Sequence, residues 1–315
     1  AVRDYSGITW AFVAGMTVAL LGATAAAWMG GKAVEMAWGF CTGLALILFW
    51  LLSRILFTFP YPIASTREAI VRHLVAMRRY AMLAIGGFAA ASAIWIDKWI
   101  LWCSPLSEYV SGGLVHAPLY DSPMFVAYLS IIPSLAIFLM LLENEIFERI
   151  TDFQHSIERH ATLQKIRSNA AAIERTITNA LSRVTLFQLA FCLLFAVLAP
   201  AIIGALDMLF KQVAILRFGA IGALFQLLFL ICSTLLLFFN RHGVFAALQI
   251  LFLTLQAGLM VVTLFYGEAY LGVGYLLATV VCACPVAGEV LGSVIIHVNT
   301  KPERPEQDPA RGRVT

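Results

Sequence analysis

The run "MLAIGGFAAASAIWIDKWILWC", residues 82–103, decides the architecture. At 1.5 Å per residue it is long enough to cross a hydrocarbon core of about 30 Å. It carries only two full charges, Asp97 and Lys98, toward its C-terminal end. A water-exposed helix of this length would show a polar face every 3.6 residues, and this one shows none. Seven further runs share its character: Ile8–Trp28, Ala33–Leu52, Met124–Leu142, Thr185–Leu206, Phe218–Phe239, Val244–Tyr266 and Leu271–Val298. Of 315 residues, 61% are hydrophobic and 12% charged, where soluble domains carry roughly a quarter charged. The chain therefore reads as an all-α integral membrane protein with eight transmembrane helices. The residue-by-residue alternation of an outer-membrane barrel is absent.

The basic residues orient these spans more than the net charge of +3 does. With a cytoplasmic N-terminus, seventeen of the 21 Lys and Arg fall in cytoplasmic segments, among them Arg67, Arg72, Arg78, Arg79 and the series from Arg149 to Arg183. The opposite loops hold only Lys32, Lys211 and Arg217. The positive-inside rule then places both termini in the cytoplasm. The six cysteines, Cys41, Cys103, Cys192, Cys232, Cys282 and Cys284, lie in or beside spans without zinc-type spacing. They read as small apolar packers.

Two segments interrupt the spans. "FPYPIASTREAIVRHLVAMRRY" (59–80) begins with two prolines and then offers Ser65 with Glu68 three residues on, a capping box. Ile70, Leu74 and Met77 share one face of the helix that follows and arginines crowd the rest, the pattern of an interfacial linker. The segment 143–183 is charged throughout, yet Ile146, Ile150, Phe153, Ile157, Ile166, Ile173, Ile177 and Leu181 recur at helical steps. One or two amphipathic helices are expected there. Their stripe either packs on the protein's own cytoplasmic surface or presents a partner-docking face at Glu145, Phe153, Ile157 and Ile166. The Pro-rich, polar end 299–315 is expected to be disordered. Pro133, Pro200 and Pro285 fall inside spans, where each removes a helix hydrogen bond.

Three readings of Asp97 and Lys98 compete. They mark an outer-face anchor with Trp95, Trp99 and Trp102 as an interfacial aromatic stripe, or a wet passage in which Asp97 meets a polar or cationic substrate beside Trp95 or Trp99, or a helix-locking ion pair. As sequence neighbours about 100° apart on a helix they are not expected to face each other, and Lys98 is expected to snorkel outward. Glu289, four residues after Pro285 and among Gly288, Gly292 and Ser293, reads as deeper in the membrane, where an unpaired carboxylate would take up a proton. No metal-ligand cluster, nucleophile elbow, phosphate-cradling loop or nucleic-acid motif is present, so neither enzyme nor nucleic-acid binder is expected, and no cofactor or metal.

"IWIDKWILW" (94–102), "LYDSPMFVAYLSIIPSLAIFL" (119–139) and "LLENEIFERITDF" (141–153) resemble the PelG family of Pel exopolysaccharide transporters, polysaccharide flippases of the multidrug/oligosaccharidyl-lipid/polysaccharide superfamily. The resemblance implies a two-lobed fold of about twelve spans, of which this chain would be the C-terminal part. Residues 1–57 would be the last two helices of lobe one, 58–80 the amphipathic interlobe linker, 81–299 the six helices of lobe two, and 300–315 a tail. It also implies export of a cationic amino-sugar polysaccharide for the biofilm matrix across the bacterial inner membrane. The implied partners are a cytoplasmic glycosyltransferase and the membrane proteins PelD, a cyclic-di-GMP receptor, and PelE. Asp97–Lys98 and the "LYD" that holds Tyr120 and Asp121 match the family pattern. As a hypothesis, the substrate path joins Asp97, Lys98, Trp95, Trp99, Tyr120 and Asp121, with Glu289 as a further candidate that matches no family acid. A non-conducting scaffold that seats the synthase is the alternative, and a lipid-linked sugar enzyme the more remote one.

Overall fold

The computed structural model describes residues 5–59, 66–110, 113–158 and 162–299. Among them, eight helices or helix runs are long and apolar enough to cross a membrane, one for each run read from the sequence. The capping residue Ser65 and the tail 300–315 lie outside the described residues.

The chain divides into two compact units. One comprises residues 1–80 and 105–116. Here α1 (Tyr5–Trp28) and α2 (Ala33–Thr58) form a close antiparallel pair. Gly15 faces the Gly43 turn and Gly22 faces Gly39, and a Cβ at any of the four would strike the backbone or side chains of the other helix. Glycine is thus what lets these backbones approach in a setting where packing, not the hydrophobic effect, joins helices. α3 (Thr66–Arg79) is the expected amphipathic helix, with Ile70, Leu74 and Met77 all exposed.

The same unit holds a hairpin absent from the sequence reading. β1 (Glu108–Val110) pairs antiparallel with β2 (Leu114–His116) in the register Tyr109↔Val115. Gly113, immediately before β2, has φ +80°, a conformation side chains resist. The Gly112–Gly113 pair in "EYVSGGLVH" is the signal that identifies it.

The second unit, residues 81–104 and 117–315, carries the remaining spans. They are α4 (Ala81–Trp102), α5 (Pro118–Leu129) continued by α6 (Ile131–Leu141), α8 (Leu163–Ala205), α9 (Gln212–Phe238), α10 (His242–Tyr266) and α11 (Leu271–Asn299). α9 is the most buried of the spans and packs against α11, α8 and α5, while α10 packs against α4 and α11. Ala278, Cys282, Val286 and Val290 of α11, at steps of four, join Leu227, Ile231 and Leu235 of α9 in one core. All six cysteines are free, and Cys192, Cys232 and Cys282 are buried.

The charged segment 143–183 is helical and runs on from the spans either side. A π turn (Leu142–Ile146) leads from α6 into α7 (Phe147–Glu158), and α8 begins at Leu163. The 43 residues of α8 span about 65 Å at 1.5 Å each, twice the hydrocarbon thickness, so its N-terminal half projects beyond the bilayer. Ile146, Ile173 and Ile177 are buried in the same core as Phe229 and Leu235, with Ile150, Phe153 and Leu181 packed onto it. The apolar stripe therefore joins α7 to α8 and extends the bundle core.

Prolines set the local breaks. Pro133 cannot donate to the Leu129 carbonyl, and α5 ends at that residue; the Ser130 Oγ–H donates within the preceding turn, to Ala127 O at 2.6 Å. Pro123 frees the carbonyl of Leu119, and Gln212 Nε2 reaches over from α9 to Pro118 O at 2.8 Å and Leu119 O at 3.4 Å. Pro200 frees the carbonyl of Ala196, and Arg217 Nε donates to it at 3.0 Å. Arg217, read above as a loop residue, is thus in the second turn of α9, where its guanidinium replaces a missing backbone donor.

Candidate functional site

Asp97 sits on α4, fully buried. Its Oδ2 accepts the Tyr120 hydroxyl hydrogen bond from α5 at 2.9 Å, and its Oδ1 accepts the backbone N–H of Lys98 at 2.9 Å. Lys98 Nζ lies 3.2 Å from Oδ1 and 3.4 Å from Oδ2. The expectation that these neighbours look apart is therefore overturned. A helical Cα–Cβ bond tilts toward the N-terminus, so the long Lys98 stem folds back over its own helix and donates to Ile94 O at 3.1 Å instead of reaching outward.

Aromatic rings complete the enclosure. Lys98 Nζ stands 4.9 Å from the Tyr128 ring centroid and 5.9 Å from that of Trp95, within cation–π range. Tyr128 meets Tyr275 of α11 edge-on at 5.6 Å. Gly222 on α9 makes room for the Tyr275 ring, which a Cβ would approach to 2.5 Å. Three helices thus converge on a single ion pair.

Asp121, in the first turn of α5, is spent partly on structure. Its Oδ2 accepts from Trp102 Nε1 at 2.9 Å and from Ala117 N at 2.8 Å, tying the end of α4 to the start of α5. Its Oδ1 is buried and has no hydrogen-bond partner among the described residues.

The structure brings together Asp97, Lys98, Tyr120 and Trp95 from the sequence-derived path, with Asp121 adjoining. Trp99 is about half exposed on α4. Glu289 is elsewhere: fourteen residues beyond Tyr275, about 21 Å along α11, it pairs with Arg241 at 3.4 Å and is partly exposed. It is not unpaired, because Arg241 at the entry to α10 supplies the counter-charge. Tyr128 and Tyr275 escaped the sequence reading; Tyr275 joins the site through its ring contact with Tyr128, its hydroxyl being buried. Of the residues suggested for docking, Glu145 pairs with Arg183 across the α7–α8 hairpin at 3.4 Å and Phe153 is packed on the core. Ile166 is partly buried, and the Ile157 side chain lies outside the described set.

Among the described residues no three His, Cys, Asp or Glu gather where a metal ion could be held. What the site offers chemically is a buried carboxylate, an ammonium paired with it and aromatic faces beside them, groups that can hold a cationic or hydroxyl-rich partner.

Comparison with known proteins places this geometry in context. A family model described as "PelG: Putative exopolysaccharide Exporter (EPS-E)" matches residues 1–294. No curated protein and no solved structure matches the chain.

Proposed function

The chain belongs to the PelG exopolysaccharide exporter family, and on that premise we propose that it moves a Pel-type cationic amino-sugar polymer across the inner membrane. In this reading both termini are cytoplasmic, residues 81–299 form one lobe of a two-lobed transporter, and the polymer passes beside the Asp97 node. A glycosyltransferase, PelD and PelE are its proposed partners, met through the α7–α8 extension.

The observation that carries the reading is the buried Asp97–Lys98 pair with Tyr120 and Tyr128 around it. A charge in the bilayer interior is costly and is retained mainly where it has work to do. Lys98 rests between a carboxylate and an aromatic face, the two surfaces that an amino-sugar ammonium would seek. We infer that Lys98 is a tethered stand-in for cargo. In the closed state it neutralises Asp97, and an incoming ammonium exchanges with it while the rings stack on the sugar. Asp121 Oδ1, buried without a hydrogen bond, is a second acceptor for a passing hydroxyl or amine. Polymer secretion with Asp97→Asn and Asp97→Ala, at matched protein level, tests this: loss of secretion supports it, and unchanged secretion makes Asp97 an anchor only.

The full burial of Asp97 also favours a second reading, in which the pair locks three helices of a scaffold that seats the synthase. Reconstituted liposomes separate the two. Polymer movement without partners supports transport, whereas tight synthase binding without movement supports the scaffold.

A further inference from the structure

Away from the Asp97 node, a groove of about 700 Å³ is lined by Lys211, Arg217, Glu268, Val213, Phe218 and Ile221. We propose that it binds an anionic phospholipid, with the phosphate between Lys211 and Arg217 and one acyl chain along Val213, Phe218 and Ile221.

The groove combines two chemistries in its lining. Its polar part has two cations and one carboxylate, a net charge of +1 that complements a phosphodiester. Lys211 Nζ is 3.2 Å from Glu268, in a partly exposed pair that solvent weakens and a phosphate can share. Arg217 is held by its Nε donating to Ala196 O at 3.0 Å. That bond orients the guanidinium and leaves its two terminal nitrogens, which have no partner among the described residues, as a ready fork for phosphate oxygens. The N-terminus of α9, 27 residues long, adds positive potential to that part. Val213, Phe218 and Ile221 of α9 give the groove its apolar lining. Leu209 and Phe210 in the turn before α9 are exposed at 64% and 80%, as residues set at a lipid interface would be. Basic pockets between membrane helices bind anionic head groups on the cytoplasmic side, and the same charge complementarity acts here at the face opposite the proposed cytoplasmic termini. The sign of the groove argues against the cationic cargo as its occupant.

Native mass spectrometry of the purified full chain, with added phosphatidylglycerol, phosphatidylethanolamine or phosphatidylcholine, tests the proposal. Phosphatidylglycerol is expected to be retained most. Lys211→Gln and Arg217→Gln should each lower its retention about fivefold and the double variant about thirtyfold, from the usual worth of one surface cation toward anionic lipid. Glu268→Gln should raise it, and Lys32→Gln should leave it unchanged. Because Arg217 also serves Ala196, Lys211→Gln keeps the test valid if Arg217→Gln fails to fold. Equal retention of the three lipids, or full retention by the Lys211 and double variants, overturns the proposal. Complete displacement of phosphatidylglycerol by millimolar inorganic phosphate or glycerophosphate also overturns it, by making a free phosphate the ligand.

Discussion

Neutralising Asp97 and Lys98 separately and together distinguishes a transport node from a lock. Lys98 is 14% exposed and Asp97 is 0% exposed, so each single change strands a charge that water hardly reaches. Breaking a buried pair from one side costs about 3–5 kcal/mol, whereas replacing both partners with neutral groups of similar size is neutral or stabilising. Asp97→Asn keeps an acceptor for Tyr120, and Lys98→Met keeps the stem over Tyr128. Each single variant should therefore lose about 3–5 kcal/mol in denaturant titrations of the reconstituted protein, and the double variant about 1 kcal/mol or less. Secretion should behave differently. If Asp97 exchanges Lys98 for cargo, the double variant regains stability and stays secretion-defective. If secretion returns with stability, the pair is a lock and the exchange mechanism is wrong. Single variants costing only about 0.5 kcal/mol, as exposed pairs do, would refute the burial argument itself.

Three other outcomes follow from the geometry. Tyr120→Phe removes a hydrogen bond to a charged acceptor and should cost about 1.5–3 kcal/mol by the same titration, with no further loss when added to Asp97→Ala. Gly222→Ala drives a Cβ into the Tyr275 ring and should cost about 1–3 kcal/mol through overpacking; Tyr275→Ala in the same chain should abolish that increment. Arg217→Met leaves the Ala196 carbonyl without its donor and should cost about 1–3 kcal/mol. In a Pro200→Ala background the restored backbone N–H should reduce that cost to near zero, and an undiminished cost would mean that Arg217 acts elsewhere.

The spans were legible because hydrocarbon imposes one length and one composition on any helix that crosses it, and each of the eight runs has a helix in the structure. The node was legible only in part. A charge in an apolar run announces itself, so Asp97 and Lys98 stood out, but the direction a lysine stem takes depends on what lies beside it. Trp95, Tyr128 and the Ile94 carbonyl decided that direction, and only Trp95 was suspected. Tyr275 was invisible because its partners lie on α4 and α5, more than a hundred residues away in the chain. Glu289 misled for the converse reason. Its setting of small residues suggests depth, and the arginine that pairs with it sits outside any span by composition. The hairpin was missed because its very short strands leave too little alternation to register beside long apolar runs.

α9 connects these observations. A helix with a proline in lipid must find a substitute donor for the carbonyl that the ring leaves behind, and α9 provides it twice, through Gln212 for α5 and Arg217 for α8. Side-chain donors on flexible stems can follow a carbonyl through a bend, which a backbone N–H in a rigid turn cannot. Tyr120 precedes Pro123 and Tyr128 follows it, so any flexing of α5 at that proline changes the spacing of the two rings that hold Asp97 and Lys98. The same helix that packs the core thus also supplies side-chain donors to the proline-bearing turns of α5 and α8.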